Sequence, residues 1–296
     1  MYFWRGYYFG KEGIWCRDFN KEEAFCVLKD SLYKDYMVRA IADNGKTIAV
    51  SRDINTNEPL LMVDVDKKTI KNTIYNHTFI YPCLDREGSK VFSVTKSDIY
   101  KNIYGNPFCV DAETGKVIAT LDEKTQWGNT AYHPESNSVY FSAFKQPNLY
   151  KFNFDTLAFS AIPTDKKIRI FDCKVACDNK GYYYLGSNIL VYMNNEDEEV
   201  WRINFKEKEK LSGKTLFSIC LSDNPDYIAV YLLDGNWLFI VNRNDFSYKK
   251  YKLGRVGFSE FFNNSLLFIY KNDNFSTLNL ETLEEKPFLP TTGANL

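Results

Sequence analysis

The sequence predicts an all-β protein, a seven-bladed β-propeller of four-stranded antiparallel blades. Apolar runs that end in an Asp or Asn recur about every 44 residues, which is the length of a four-stranded blade. Runs rich in Val, Ile, Tyr and Phe alternate with turns rich in Asn, Asp, Gly and Pro. Because the repeat covers the chain, we expect residues 1–296 to form a single domain. The seven Asx positions are Asp18, Asp64, Asp111, Asn153, Asn194, Asn242 and Asn279.

Each blade is expected to begin with a short inner strand and a polar turn, as at residues 84–88. The second strand is a continuous apolar run, as at residues 182–185, which is typical of a strand buried on both faces. The third strand carries the Asx residue, and a more polar fourth strand lies outermost. On these criteria the blades span approximately residues 1–28, 38–74, 80–121, 127–163, 171–204, 217–253 and 256–289.

The N-terminal segment is predicted to close the ring of blades. Residues 7–28 contain three short apolar runs, one fewer than a complete blade needs. A ring left open would expose unpaired strand edges. We therefore expect residues 1–4 to supply the missing strand and residues 291–296 to form a tail, with the reverse assignment as the alternative.

Two segments resemble the WD-repeat and YVTN-like propeller superfamily. Residues 132–140 are similar to the turn that follows the inner strand in that group, and residues 110–118 are similar to its outer D-x-x-T-G-K turn. The blades lack the Gly-His pair and the terminal Trp-Asp dipeptide of WD repeats. The resemblance implies the propeller fold. It also implies an alternative function, because some YVTN-like relatives and propeller lactonases use the central channel.

Composition and charge argue against several classes of function. The net charge is −1, and no basic run stands beside an aromatic platform, so we expect no direct binding to nucleic acid. No apolar run is long enough to span a bilayer, and the N-terminus lacks the pattern of a signal peptide. Seven irregularly spaced cysteines favour reduced thiols and a cytoplasmic protein.

Residues suited to catalysis are sparse. The sequence shows no nucleophile elbow, phosphate loop, metal cluster or cofactor fingerprint, so we expect no enzyme activity, no metal site and no cofactor. His133 lies in a blade turn and is expected to be structural, whereas His77 lies in a connection between blades and is a candidate for binding. Cys83, Cys177 and Cys220 occupy equivalent places on inner strands and are expected to pack as small apolar residues.

The function that this pattern favours is non-catalytic binding of another protein. Tyr and Trp anchor protein interfaces because they bury much area and keep a polar group. The candidate binding residues are aromatic or imidazole side chains near connections between blades and an acidic turn that would attract a basic partner: Tyr33, Tyr36, Tyr75, His77, Tyr81, Trp127, Glu196, Asp197, Glu198 and Glu199.

A narrower hypothesis is an immunity-type inhibitor that occludes a toxic enzyme such as a nuclease, since charge complementarity speeds association with a basic partner. The alternative is a small-ligand-binding or lactonase-like enzyme that uses the central channel. That alternative requires Arg39, Asp85 and His77 to converge in one pocket.

Overall fold

The computed structural model consists of β structure with one short helix in the residues that it describes. The chain divides into two compact units. That residues 1–296 form a single domain with the blade boundaries given above stays a prediction. Unit 1 comprises Met1–Val139, Lys151–Ser160 and Ala294–Leu296, and unit 2 comprises Tyr140–Tyr150 and Ala161–Gly293. The described residues are 2–8, 11–17, 24–28, 36–52, 58–94, 105–123, 127–143, 146–209, 218–232, 237–252, 256–261, 266–271 and 274–287.

The strands form sheets in which neighbours in sequence are also neighbours in space, which is the arrangement of propeller blades. The N-terminal sheet contains β1 (Tyr2–Tyr8), β2 (Lys11–Arg17) and β3 (Ala24–Leu28). The next three sheets contain β4 (Met37–Ile41), β5 (Thr47–Ser51), β6 (Leu60–Asp64) and β7 (Thr69–Ile74); β8 (Ile80–Leu84), β9 (Lys90–Val94), β10 (Pro107–Asp111) and β11 (Val117–Thr120); and β12 (Trp127–His133), β13 (Ser138–Ala143), β14 (Leu149–Asn153) and β15 (Ala158–Ile162).

Three further four-stranded sheets follow. They contain β16 (Ile170–Val175), β17 (Gly181–Gly186), β18 (Ile189–Asn194) and β19 (Glu199–Asn204); β20 (Ser218–Asp223), β21 (Tyr227–Leu232), β22 (Trp237–Asn242) and β23 (Tyr248–Lys252); and β24 (Val256–Phe261), β25 (Leu266–Lys271), β26 (Asn274–Asn279) and β27 (Glu285–Pro287). The helix α1 (Phe205–Glu209) follows β19.

The recurring Asx residues end the third strands because their side chains organise the next turn. Asp111 Oδ1 accepts the Thr114 N–H at 2.7 Å, and Asn153 Oδ1 accepts the Thr156 N–H at 2.8 Å. Asn279 Oδ1 accepts a backbone N–H in the same way. These short-range hydrogen bonds mimic a backbone turn and explain the periodic signal in the sequence. Asp18 lies outside the described residues.

Burial follows the order of strands within each blade. Every residue of β5, β13 and β17 is buried, as predicted for second strands, whereas most residues of the outer strands β7, β11 and β19 are exposed or half-buried. Apolar clusters fill the space between neighbouring blades, with Met62 and Val110 in unit 1 and Leu190 and Phe239 in unit 2. Each of these clusters therefore joins a sheet to its neighbour.

The outer strand of a blade also contacts the third-strand turn of the following blade. In unit 1, Asn72 Nδ2 donates to the carbonyl oxygens of Ala112 and Glu113, both at 2.6 Å. In unit 2, Lys249 Nζ donates at 3.0 Å to the carbonyl oxygens that begin the next such turn. Trp201 packs on Phe246 with ring centroids 4.6 Å apart. The same junction is thus made by three different kinds of side chain.

The N-terminal sheet differs from the prediction. Residues 2–4 do not form a separate strand, because β1 pairs with β2 in one unbroken antiparallel register from Tyr2 opposite Arg17 to Tyr8 opposite Lys11. The described part of this sheet therefore has three strands. Residues 291–296 lie outside the described residues, and closure of the ring by the N-terminal segment stays a prediction.

One cysteine also departs from the expectation of packing. Cys83 is buried, as expected, but Cys177 is exposed although it occupies the equivalent place in its blade. The side chain of Cys220 lies outside the described residues. The difference arises because Cys177 follows the end of β16, where the chain has already entered the turn.

Candidate protein-binding edge

The inner strands carry an irregularity near their beginnings that the sequence did not predict. The antiparallel register shifts by an extra residue between Val38 and Ala40 in β4 and between Ile80 and Cys83 in β8. Equivalent shifts occur in β16, β20 and β24 of unit 2. A β-bulge of this kind bends the strand and changes the direction of a side chain. In unit 1 the bulges fall at Arg39 and at Tyr81. The sequence analysis names Arg39 for the channel-enzyme alternative and Tyr81 as a candidate binding residue.

Tyr81 has an unusual backbone conformation. Its φ is 49°, in the left-handed region that bulky residues rarely adopt. The Thr130 hydroxyl donates to the Tyr81 carbonyl at 2.9 Å, and the Ser93 hydroxyl accepts the Ile80 N–H at 2.8 Å. Such a conformation persists only where the surroundings enforce it. The fold therefore holds Tyr81 in place while 44% of this residue remains exposed.

Large apolar side chains are exposed at one edge of unit 1, where β4 and β8 begin and β7 ends; we call it the strand-start edge. The strands β4 to β7 are antiparallel neighbours, so the end of β7 lies at the same edge as the start of β4. The chain then reaches β8, which contacts β4, after five residues. Met37, Tyr75 and Tyr81 are 46%, 61% and 44% exposed at this edge.

Two arginines lie at the strand-start edge among these side chains. Arg39 Nε donates to Ser51 Oγ, and Arg39 Nη2 donates to the Arg52 carbonyl, both at 3.0 Å. The Arg52 guanidinium lies 5.9 Å from the centroid of the Tyr36 ring, within range of a cation–π interaction. The edge thus combines exposed aromatic and thioether groups with guanidinium groups held by neighbouring atoms.

The other aromatic candidates are packed or undescribed. Tyr36 and Trp127 are 9% and 5% exposed, and Trp127 Nε1 donates to the Gly105 carbonyl at 2.7 Å. Their rings therefore contribute to the packing of unit 1 and offer little surface to a partner, in contrast to the expectation. Tyr33 lies outside the described residues.

The three residues required by the channel-enzyme alternative contact different groups. His77 Nε2 lies 3.1 Å from the Gly115 carbonyl oxygen, and its ring packs 5.4 Å from that of Phe108. Asp85 is buried and accepts hydrogen bonds from Ser89. Arg39 is bound to the end of β5, as described above. The described contacts do not bring these side chains together.

The acidic turn lies in unit 2, and three of its four side chains are bonded within their own blade. Asp197 Oδ1 accepts the Tyr182 hydroxyl at 2.9 Å, and burial together with this carboxylate raises the pKa of Tyr182. Glu198 accepts a hydrogen bond from Asn194, and Glu199 forms an ion pair with Arg202. Glu196 is exposed. Part of the predicted acidic surface is therefore used to order the turn.

Two general findings concern the part of the chain that the structure describes. It holds no group of three or more His, Cys, Asp or Glu side chains placed to bind a metal ion. It also contains no helix with the length and apolar character needed to cross a membrane.

Comparisons with known proteins establish the fold class. No family model matches the chain, and no curated protein matches it in sequence. Among solved structures, it is similar to the β-propeller domain of Myceliophteria thermophila Cps50 (Swd1), with a TM-score of 0.54 and 11% sequence identity over 83% of this chain and 80% of that chain. The protein is therefore an all-β protein with the β-propeller fold, as the sequence predicts, and its sheets agree with a count of about seven blades.

Proposed function

We propose that the protein is a non-catalytic module that binds another protein through the strand-start edge of unit 1. The observation that carries this proposal is the joint exposure of Met37, Tyr75 and Tyr81 beside Arg39 and Arg52. Aromatic residues, Met and Arg are the residue types enriched at protein interfaces, and Tyr and Arg are enriched among those that dominate binding energy. A propeller fold is compatible with such a role.

The rigidity of the edge supports the same proposal. The Thr130 hydroxyl donates to the Tyr81 carbonyl and the Ser93 hydroxyl accepts the Ile80 N–H, so the backbone is held at Tyr81 and just before it, and Arg39 donates from two of its nitrogens. A partner would therefore immobilise few additional groups when it binds. Because ordering side chains and loops opposes association, a preorganised surface retains more of its contact energy as affinity.

The test is the double substitution Tyr75→Ala with Tyr81→Ala. A partner would first be captured from host lysate on the full chain and identified by mass spectrometry. We expect the double variant to bind that purified partner at least 30-fold more weakly in calorimetry, since two central aromatic anchors are removed. The matched control is Ile41→Ala, which truncates an exposed apolar residue at the opposite end of β4 and should leave affinity unchanged. Wild-type affinity in a folded double variant would refute the choice of edge.

The narrower form of the proposal is an immunity-type inhibitor that occludes a basic toxic enzyme such as a nuclease. Its support is the exposed carboxylate of Glu196 in the acidic turn, since acidic surfaces accelerate association with basic partners. If this form is correct, adding the chain to the captured enzyme should abolish its activity at equal stoichiometry. Glu196→Lys should then slow association at low salt. An enzyme that stays active while bound would exclude inhibition and leave the binding proposal standing.

A further inference from the structure

We propose that the side-chain amide of Asn44 is a site of spontaneous deamidation, and that a contact with the neighbouring sheet controls its rate. Asn44 lies in the turn between β4 and β5, and it is the one asparagine in the sequence that is followed by glycine. Asparagine is among the residues that are chemically unstable in proteins. Gly45 has no Cβ, so its backbone nitrogen can approach the preceding side chain closely. The inference does not depend on the proposed function.

The reaction joins two groups of the same turn. The backbone nitrogen of Gly45 attacks Cγ of Asn44 and gives up its proton, and Nδ2 takes that proton and leaves as ammonia. The product is a five-membered succinimide. Water then opens this ring at Cγ, which yields aspartate, or at the Asn44 carbonyl carbon, which yields isoaspartate. An amide and water thus become a carboxylate and ammonium, so the reaction requires no oxidant, reductant or enzyme.

Both reacting groups are engaged in hydrogen bonds in the folded chain. The Gly45 N–H donates to the Ala42 carbonyl at 2.9 Å. Asn44 Oδ1 accepts the Lys46 N–H at 2.9 Å, and Asn44 Nδ2 donates to Glu87 Oε2 at 3.0 Å. Because the amide must turn until Cγ meets the Gly45 nitrogen, its hydrogen bonds have to break before the attack. We therefore expect the folded chain to deamidate more slowly than the unfolded chain.

One of these hydrogen bonds comes from the neighbouring sheet. Glu87 lies in the turn between β8 and β9, and the preceding residue, Arg86, accepts the Asn44 N–H at 3.3 Å with its carbonyl oxygen. Removal of the Glu87 carboxylate frees Nδ2 but leaves the backbone contact and the bonds within the turn. The loss of one hydrogen bond should raise the population of the reactive conformation roughly two- to fivefold. Glu87 is thus a positioning residue for the amide.

Deamidation should weaken the contact between the two turns. Aspartate at position 44 has no N–H to donate to Glu87, and its carboxylate would occupy the place from which Nδ2 now bonds at 3.0 Å. Asp43 adds a further exposed carboxylate beside it. Like charges at this separation repel each other. The modified chain should therefore be less stable than the original chain.

The experiment follows conversion at position 44 of the full chain by peptide mapping with mass spectrometry. We expect the wild type to react at least tenfold faster in guanidinium chloride than when folded, because unfolding removes all of these hydrogen bonds together. In the folded state Glu87→Ala should accelerate conversion roughly two- to fivefold. Glu87→Gln keeps an acceptor oxygen for Nδ2 and should react like the wild type. The matched control is Glu113→Ala, which removes an exposed glutamate from the turn between β10 and β11 and should not change the rate.

Urea unfolding tests the consequence for stability. Asn44→Asp reproduces the aspartate product and should lower the urea midpoint. Asn44→Asp combined with Glu87→Gln should recover part of this loss, because the glutamine amide can donate to the new carboxylate. A wild-type midpoint for Asn44→Asp would show that the product leaves the contact between the turns intact and would refute this part of the proposal.

Three results of the rate measurement would overturn the proposal. An unfolded chain that does not convert at position 44 would exclude the site. Equal rates in the folded and unfolded wild type would show that the turn does not restrain the amide. A wild-type rate in Glu87→Ala, or the same acceleration in Glu87→Gln, would show that the bond to Glu87 does not control the reaction. The comparison of folded and unfolded wild type needs no substitution, so it decides even if a variant fails to fold.

Discussion

Replacing Arg243 with alanine in unit 2 tests how the turns of neighbouring blades are held together. Arg243 Nη2 lies 2.9 Å from the Asp178 carboxylate, and Nη1 donates to the Asn224 carbonyl at 3.0 Å. Nη1 is also 3.8 Å from the carboxylate of Asp223, whose side chain is 1% exposed. Asp223 Oδ2 accepts the Cys177 N–H at 2.7 Å, while Asp223 Oδ1 has no hydrogen-bond partner among the described residues.

The cost of Arg243→Ala can be worked from these contacts. Loss of the hydrogen bonds to Asp178 and Asn224 should cost about 1 kcal/mol each in the free energy of unfolding. Leaving the buried Asp223 carboxylate without its guanidinium should add about 1–3 kcal/mol. We therefore expect a total loss of about 3–5 kcal/mol at pH 7.

The loss should also depend on pH. Burial raises the pKa of Asp223 above its ordinary value, and removal of Arg243, which lowers it, should raise this pKa further. A carboxyl whose pKa is higher in the folded chain binds a proton more readily there than in the unfolded chain. The destabilisation that its charge causes is present above the folded pKa and disappears as the pH falls through it. Arg243→Ala should therefore be less costly at pH 4 than at pH 7.

Urea unfolding followed by tryptophan fluorescence at both pH values provides the measurement. The control is Arg243→Ala combined with Asp223→Asn, which removes the charge that the first substitution leaves unpaired and should recover part of the loss at pH 7. A loss below about 1 kcal/mol at pH 7 would refute the reasoning. So would a loss that is equal at both pH values, because the buried charge would then carry no part of it.

Two further predictions concern a glycine and a thiol. A Cβ at Gly181 would collide with the Met193 carbonyl oxygen, so Gly181→Ala should lower the free energy of unfolding by more than about 3 kcal/mol. Gly115 has a φ of 68°, and its nearest neighbour, Ile74 Cγ2, would lie 3.4 Å from a Cβ, so Gly115→Ala should lower it by only about 1 kcal/mol. Equal urea midpoints for the two variants would contradict this. Although the Cys177 side chain is exposed, partial desolvation by the surrounding atoms, together with the nearby Asp223 carboxylate, raises the pKa of its thiol to about 11. Its alkylation by iodoacetamide should therefore accelerate roughly tenfold per pH unit between pH 7 and 10. The label on the peptide that contains position 177 should be absent from Cys177→Ser, and fast labelling of Cys177 at pH 7 would count against the raised pKa.

The sequence predicted those parts of the fold that depend on neighbouring residues. The Asx residues could be identified because each bonds to backbone groups a few positions later, as Asp111 does to Thr114. The second strands could be identified because burial on both faces imposes a continuous apolar run. Both signals depend only on residues close together in sequence, and together they were sufficient to predict the propeller fold.

The candidate site depended on distant residues and was predicted only in part. Tyr75 and Trp127 both lie near connections between blades, yet one is exposed and the other is packed against residues of another segment. The acidic turn was predicted as a free charged surface, but Asp197 is bound by Tyr182 from a strand that precedes it. The bulge at Tyr81 follows from register, which no residue pattern in one strand specifies. Residue type and position in the sequence therefore identify candidate residues, but they do not determine which of these residues are exposed at the surface.

The junctions between successive blades constrain how this chain can vary. An amide at Asn72, an ammonium at Lys249 and an indole at Trp201 perform the same task against three differently built turns. A blade copied to another position in the chain would meet a turn unsuited to its outer strand, so the blades are not interchangeable units. Accepted substitutions at these positions should come in matched pairs, one on an outer strand and one in the following turn. Divergence of that kind leaves the blades alike in architecture while erasing their likeness in sequence.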